Sequence, residues 1–239
     1  MDSKSPSASS ARRSPDASAT HRAYLEIRRM IVAGEIPAGE KLKIEGLREK
    51  LGVGASPIRE ALSLLTSDQL VERIDHRGFR AAEASSENFE EILALRCALE
   101  DMALRQSIAK ATDEWEERLV LSHHRMVRQS RDNMEAFEAR HKSFHLTLLE
   151  NCGSPILLRY CGQLYDLNLR YRYLAGLALN YQKRDIAAEH AAILEAAIER
   201  NADLAAERLI SHYRQTGAFL NGFFRRQEAG RKPVPAEVS

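Results

Sequence analysis

Long apolar runs are missing from this chain of 239 residues, and no stretch approaches the length a membrane span requires. Cysteine is scarce. Cys97, Cys152 and Cys161 are odd in number and form no CxxC pair. They exclude a disulfide framework and read as small buried hydrophobes in a reducing compartment. A dominant charge is also missing, since 35 basic and 34 acidic residues leave a net charge of +1. The chain as a whole therefore does not advertise a polyanionic partner. Residues 1–82 hold 14 Lys and Arg against 11 Asp and Glu, and the remainder holds 21 against 23. The small basic excess thus lies near the amino terminus, but it is too slight to establish nucleic-acid binding by itself. Arg12-Arg13 is followed by no apolar segment, which excludes a twin-arginine export signal and leaves the cytoplasm as the expected location. An HExxH pattern and a paired-carboxylate di-iron pattern are both absent, which disfavours a metal-dependent enzyme on a helical bundle, the alternative reading of this chain.

What is present is a short segment, LREKLGVGASPIREAL, at 47–62. It reads as two short helices, Lys43–Leu51 and Ser56–Leu70, meeting at a tight turn. Ser56 is expected at the N-cap and Pro57 at the first helical position. Ile58, Ala61, Leu62 and Leu65 then fall on one face. Arg59 and Ser63 fall on others, free to meet phosphate or base edges. An ordinary helical hairpin would share that pattern, but the flanks argue against it. A first helix is expected from His21 to about Gly34, and two short strands, Val71–Arg73 and Phe79–Ala81, flank a turn-prone loop at Asp75–Gly78. Three helices and a hairpin make a winged helix, whose second helix-turn-helix element enters a DNA groove. Arg48, together with His76, Arg77 and Gly78 of the wing, completes the expected DNA-binding set.

The rest divides the chain. Residues 1–20, rich in Ser, Ala and Pro, read as a disordered tail, 21–82 as the winged helix-turn-helix domain, 86–227 as a helical domain and 228–239 as a flexible tail. Helices are expected at about 86–110, 112–131, 134–151, 154–178, 183–200 and 202–226, and the short breaks between them favour an antiparallel bundle. The fold class is mainly α. His141 and His145 share a helical face with Phe137 and Leu148, His190 lies on a stripe with Ile186 and Ile193, and His212 lies with Leu209. Taken singly, each is a core histidine bonded to a carbonyl or carboxylate. Together they direct imidazoles inward from three helices, and neutral imidazole suits Zn²⁺ or Ni²⁺. Trp115, Tyr165, Tyr171 and Tyr173 read as packing.

The residues Tyr24, Ile27, Ile31, Gly34, Ile36, Pro37, Gly39, Leu42, Leu47, Leu51, Gly52, Val53, Pro57, Arg59, Glu60, Ala61, Leu62, Leu65, Leu70, Val71, Gly78 and Phe79 resemble, in order, the GntR family of bacterial transcription regulators. The helical remainder resembles the FCD ligand-sensing domain of the FadR subfamily through Leu95-Arg96, Leu99-Glu100, Phe144-His145, Glu189-His190 and His212. The resemblance spans roughly residues 22–225. The segments LGVG, SPIREAL and LTLLENCGSPILLRY resemble its CsiR-like branch, which controls genes for glutarate and 4-aminobutyrate catabolism. One departure is that the family's Ser-Arg after the turn, whose arginine contacts DNA, is replaced by Gly54-Ala55. A second is that the family's usual aspartate metal ligand, four residues before the Phe-His histidine, is replaced by His141. A carboxylate is thereby exchanged for a neutral group, and a role beside the metal or effector stays open for His141.

The resemblance implies a homodimeric repressor on double-stranded operator DNA. It implies a small organic acid effector, a dicarboxylate such as glutarate, bound beside a metal at His141, His145, His190 and His212. Arg96 is the expected carboxylate clamp and Arg172 a second one, since guanidinium binds carboxylate in a fork. Salt bridges to Glu100 or Asp101 are the alternative for both. A bundle acting only in protein interaction would not need these inward polar groups.

Overall fold

The computed structural model describes residues 15–75, 77–175 and 185–230. The tail residues 1–14 and 231–239, the stretch 176–184 and His76 lie outside the described residues. The chain divides into two compact units, Met1–Glu83 and Ala84–Ser239.

The first unit runs α1 (Pro15–Val32), β1 (Lys41–Leu42), α2 (Ile44–Leu51), α3 (Ala55–Ser67), β2 (Val71–Ile74) and β3 (Gly78–Ala81). α1 starts at Pro15, ahead of the expected His21. It packs on α3, and the two helices together bury Ile27, Met30, Ile31, Ile58, Ala61, Leu62 and Leu65 completely. The expected 3.6-residue stripe of α3 is therefore its core face. Gly52, which ends α2, takes a left-handed φ of 63° and returns its N–H to the Arg48 carbonyl at 2.9 Å. Only glycine adopts that conformation without a Cβ penalty, so the tight turn is written into the sequence.

Two boundaries of α3 differ from expectation. Gly54, not Ser56, is the N-cap, and Pro57 sits in the third helical position. No penalty follows, because the first bond of the helix runs from the Ile58 N–H to the Gly54 carbonyl at 3.4 Å, so the missing proline N–H has no intrahelical role. At the other end α3 stops at Ser67 rather than Leu70. Gln69 turns left-handed at φ 61°, Leu70 N–H bonds to the Leu65 carbonyl at 3.0 Å, and Gln69 N–H bonds to Thr66 at 3.1 Å. This is a Schellman stop built on glutamine, so no glycine announces it.

The expected hairpin is present, with Val71 opposite Ala81 and Ile74 opposite Gly78. It gains a third strand, since β1 pairs with β3 through Lys41–Arg80 and Leu42–Phe79 in the order β1-β3-β2. Two residues cannot display an alternating pattern, and β1 was therefore invisible in the sequence.

The second unit is helical among its described residues: α4 (Ser86–Ala109), α5 (Asp113–Val127), α6 (Met134–Leu149), a 3-10 turn (Glu150–Cys152), α7 (Pro155–Leu174), α8 (Ile186–Ile198) and α9 (Ala202–Gly230). Side chains cap the starts of these helices: Ser85, Thr112, Asn133, Ser154 and Asp185 each accept the N–H three residues on. Pro155 follows Ser154 at the first turn, as its sequence implied. α4 packs on α9, α7 and α6, and α8 packs on α9 and α5. A Cβ at Gly217 would collide with Leu93, so glycine there permits the close approach of α9 to α4. The core gathers Leu104, Trp115, Phe144, Leu148, Ile193 and Leu209, with the Trp115 indole donating to the Thr147 carbonyl at 2.8 Å.

Leu62 is wholly buried where α1 meets α3. Leu62→Ala should cost the amino-terminal unit about 2–5 kcal/mol through lost burial and a residual cavity. Urea denaturation followed by circular dichroism measures it, and a change under about 0.5 kcal/mol contradicts the assignment.

Candidate functional site

In the first unit Arg59 and Ser63 stand exposed on α3, and Ser56 is exposed in its first turn. Ser63 donates its hydroxyl to the Arg59 carbonyl at 2.9 Å. Arg59, Ser63 and Gly78 line one concavity with Ile44, Arg73, Asp75 and Phe79, so helix and wing share a groove. Arg48 is exposed on α2 and paired with Glu45 at 2.6 Å, while Arg77 is exposed beside Gly78 at the start of β3. Arg48, Ser56 and Arg77 are not part of that concavity's lining. Arg59 and Arg77 make no ion pair among the described residues, unlike Arg80, which is held by Glu72 at 2.7 Å. Exposed cationic side chains left without an acidic partner suit a phosphate backbone. Of the expected DNA-binding set, only His76 lies outside the described residues.

In the second unit His141 and His145 on α6, His190 on α8 and His212 on α9 converge. Each offers one ring nitrogen, and these nitrogens lie within 4.8 Å of one another. The Nε2 atoms of His141 and His190 are 3.0 Å apart, those of His145 and His141 3.0 Å, and those of His190 and His145 3.3 Å. Burial, reinforced by neighbouring cations and imidazoles, holds His141 and His145 well below the ordinary imidazole range. Burial likewise drives His190 down to about 2. These rings are neutral, as a metal ligand must be. Ligands about 2.0–2.1 Å from one ion, at right-angle or tetrahedral spacing, lie roughly 3 Å apart, so the cluster fits a Zn²⁺- or Ni²⁺-sized ion.

Groups behind the rings fix their orientation. His212 Nδ1 meets Glu189 at 2.7 Å, and His145 Nδ1 meets the Tyr213 hydroxyl at 2.9 Å. Tyr213 in turn donates to Glu100. His141 Nδ1 meets the Tyr165 hydroxyl at 2.7 Å and Arg172 Nη1 at 3.2 Å. Tyr165, read from sequence as packing, is thus also a polar partner of the cluster.

A cavity of about 320 Å³ adjoins the cluster, lined among others by Arg96, Arg131, Phe137, His141, Asn168, Arg172 and His212. Arg96 is 4% exposed. It donates to Glu100 at 2.6 Å and to Asn168 at 3.0 Å, and its guanidinium lies 3.9 Å from the centre of the Tyr213 ring. Burial is the strongest single influence and opposes its charge, but Glu100 together with Tyr213 and Tyr165 raises its pKa above the ordinary arginine value. Its Nη2 is buried with no hydrogen-bond partner among the described residues. Arg172 grips Glu138 with both arms, at 2.6 and 3.1 Å, so its carboxylate partner is neither Glu100 nor Asp101. Glu138, Asn168 and Tyr213 were not singled out from the sequence. Glu138 precedes His141 by one helical turn, and that spacing alone could have marked it. Arg131, its guanidinium 5.1 Å from the Phe137 ring centre, is a third lining cation and was not singled out from the sequence.

A winged helix-turn-helix followed by a helical bundle enclosing imidazoles and arginines defines a DNA-binding transcription regulator. Residues 19–80 match the bacterial regulatory proteins of the gntR family, and residues 91–215 match the FCD domain. The chain belongs to the GntR family, with an FCD-type carboxyl-terminal domain, and is a regulator rather than an enzyme. It is 34% identical over 207 residues to the HTH-type transcriptional regulator BphR of Paraburkholderia xenovorans (strain LB400), covering 84% of each chain. The HTH-type transcriptional repressor GlaR of Escherichia coli (strain K12) is 29% identical over 200 residues, covering 79% of this chain and 90% of that one. The solved structure of E. coli McbR/YncC superposes with a TM-score of 0.74 at 22% identity, covering 85% of this chain and 97% of that one, and shares the fold.

The Glu100 side chain is 2% exposed and neutralises Arg96 at 5%. Removing one partner strands a buried charge, so Glu100→Ala should destabilise the bundle by about 3–5 kcal/mol. Thermal denaturation of the full chain reads this, and a wild-type melting temperature would refute it.

Proposed function

We propose that this protein is a cytoplasmic repressor whose operator affinity is set by a small organic acid bound beside a divalent metal, Zn²⁺ or Ni²⁺, in the carboxyl-terminal bundle. The observation that carries the proposal is the buried, unsatisfied Arg96 Nη2 in a cavity shared with His141 and His212. An orphaned buried guanidinium nitrogen is costly unless a ligand answers it, and a carboxylate is its geometric match. The cavity lies at the small end of ligand pockets, which suits a compact acid such as glutarate. Among the described residues no helix is long and apolar enough to cross a membrane. The repressor assignment follows the likeness to GlaR, an HTH-type transcriptional repressor.

DNA is met by α3 and the wing. Arg59 and Ser63 face base edges, and Ser56, Arg48, His76, Arg77 and Gly78 position the backbone. Gly54-Ala55 removes the arginine that the family places after the turn, so operator choice rests more heavily on Arg59. A homodimer presents two such units to a near-palindromic operator. Acid binding shifts the population between arrangements that differ in operator affinity.

Arg59→Ala should weaken binding to the protein's own promoter region by about 1–3 kcal/mol, read by gel-shift titration at fixed salt. Unchanged affinity removes Arg59 from the contact set. Glutarate added to the zinc-loaded chain should raise its melting temperature, and Arg96→Ala should abolish that rise while the zinc effect persists. Stabilisation by glutarate that survives Arg96→Ala would show that the clamp lies elsewhere.

A further inference from the structure

The hairpin carries a cation outside the expected DNA-binding set. Side chains on a strand alternate between faces, and residues directly opposite on an antiparallel pair share one. Val71 lies opposite Ala81 and both are buried, so this is the face turned to the core. The next pair, Glu72 and Arg80, lies on the other face, joined at 2.7 Å. Arg73 lies opposite Phe79, which returns it to the core face. Phe79 is buried, whereas Arg73 is exposed. Opposed Cβ atoms stand about 5 Å apart, so the aliphatic stem of Arg73 runs beside Phe79 and the guanidinium reaches beyond it.

Arg73 lines the same concavity as Arg59 and Ser63 of α3 and Gly78 of the wing. Unlike Arg80, it makes no hydrogen bond or ion pair among the described residues. Asp75 shares the concavity, and two arginines against one aspartate leave it positive. The first turn of α3, Ala55–Ile58, holds no basic residue. A second cation beside Arg59 therefore comes from the strand and not from the start of the helix.

We infer that Arg73 clamps the sugar–phosphate ridge that separates the groove entered by α3 from the groove met by the wing. This rests on the DNA reading above. A helix in one groove and a hairpin tip in the next straddle a ridge of backbone, and the concavity between them faces that ridge. A guanidinium there has no acid to release first, and its fork matches two phosphate oxygens. Such a contact fixes the depth and register of α3 and carries no sequence information. Arg59 and Arg73 thus divide the work, one reading bases and the other holding the backbone.

The test uses the full chain as wild type, Arg73→Gln, Arg73→Lys, Arg59→Ala and Arg80→Gln. Affinity is measured by fluorescence anisotropy for a duplex from the protein's own promoter region and for a scrambled duplex of equal length and composition, from about 50 to 200 mM salt. Arg73→Gln should bind both duplexes about tenfold more weakly and leave their ratio unchanged, with a salt slope smaller by about one per chain. Arg73→Lys, which keeps the charge, should recover most of that loss. Arg59→Ala should reduce the ratio instead, and Arg80→Gln, on the far face, should stay within about threefold of wild type. Unchanged affinity in Arg73→Gln overturns the assignment, as does a loss confined to the promoter duplex, which would mark a base reader. An equal loss in Arg80→Gln overturns it too, since net charge alone would then account for the effect. Should Arg73→Gln melt below wild type, Arg73→Met, which keeps the stem beside Phe79, decides in its place. A wild-type chain that does not prefer the promoter duplex overturns the DNA reading itself, a failure distinct from an unaffected Arg73 variant.

Discussion

Glu100 is the group on which the polar interior of the bundle depends. Its carboxylate is buried and receives both the Arg96 guanidinium at 2.6 Å and the Tyr213 hydroxyl. Through Tyr213 it also sets the tautomer of His145. A buried ion pair is a weak source of stability, since desolvation offsets most of its attraction. Hydrophobic residues would fill the same volume at no loss. The pair makes sense as a device that keeps a cation and an oriented imidazole inside a dry bundle, where each acts on a ligand through a low dielectric.

Glu138 performs the matching task on the other side of the cavity. It holds Arg172 in a fork, and Arg172 Nη1 lies 3.2 Å from His141 Nδ1, which the Tyr165 hydroxyl meets at 2.7 Å. Two carboxylates on two helices, α4 and α6, therefore hold the polar groups that meet the Nδ1 atoms of His145 and His141. The amino-terminal unit is organised on the opposite principle. Its interior is apolar, and its cations stand exposed and unanswered at Arg59 and Arg77. In the proposed reading, one unit hides charge to recognise a small anion, and the other displays charge to meet a large one.

The parts of this arrangement legible in the sequence were those with local signatures. The α3 stripe, Gly52 in the turn, the Ser154-Pro155 start and the inward spacing of His141 and His145 each follow from periodicity or capping, and each is present. The Ser56 cap failed because a proline tolerated anywhere in the first turn does not fix the register of a helix start. Gln69 hid a left-handed stop that glycine would have announced. The Glu138–Arg172 fork and the Tyr213 bridge join residues 34 and 68 positions from their partners, and no single-chain periodicity reports such pairs. The convergence of three helices on one point was likewise inferred through family likeness, and the distances came only with the fold.

The exchange of aspartate for His141 has an electrostatic consequence that holds whichever imidazoles bind the ion. An aspartate ligand would cancel one of the two charges of a divalent ion, whereas neutral rings cancel none. In the cavity, Arg172 is answered by Glu138 and Arg96 by Glu100, so the arginines add little net charge. In the proposed metal-loaded site, the remaining positive potential would come from the ion and from Arg131 beside Phe137. Neutral ligation weakens the hold on the ion and strengthens the ion's pull on an anion. In the proposed sensor, metal and acid then bind reciprocally, each raising the affinity of the other by the same factor. The acid supplies the negative charge that the family's aspartate would have supplied, so the substitution shifts a permanent feature of the protein onto the ligand it detects.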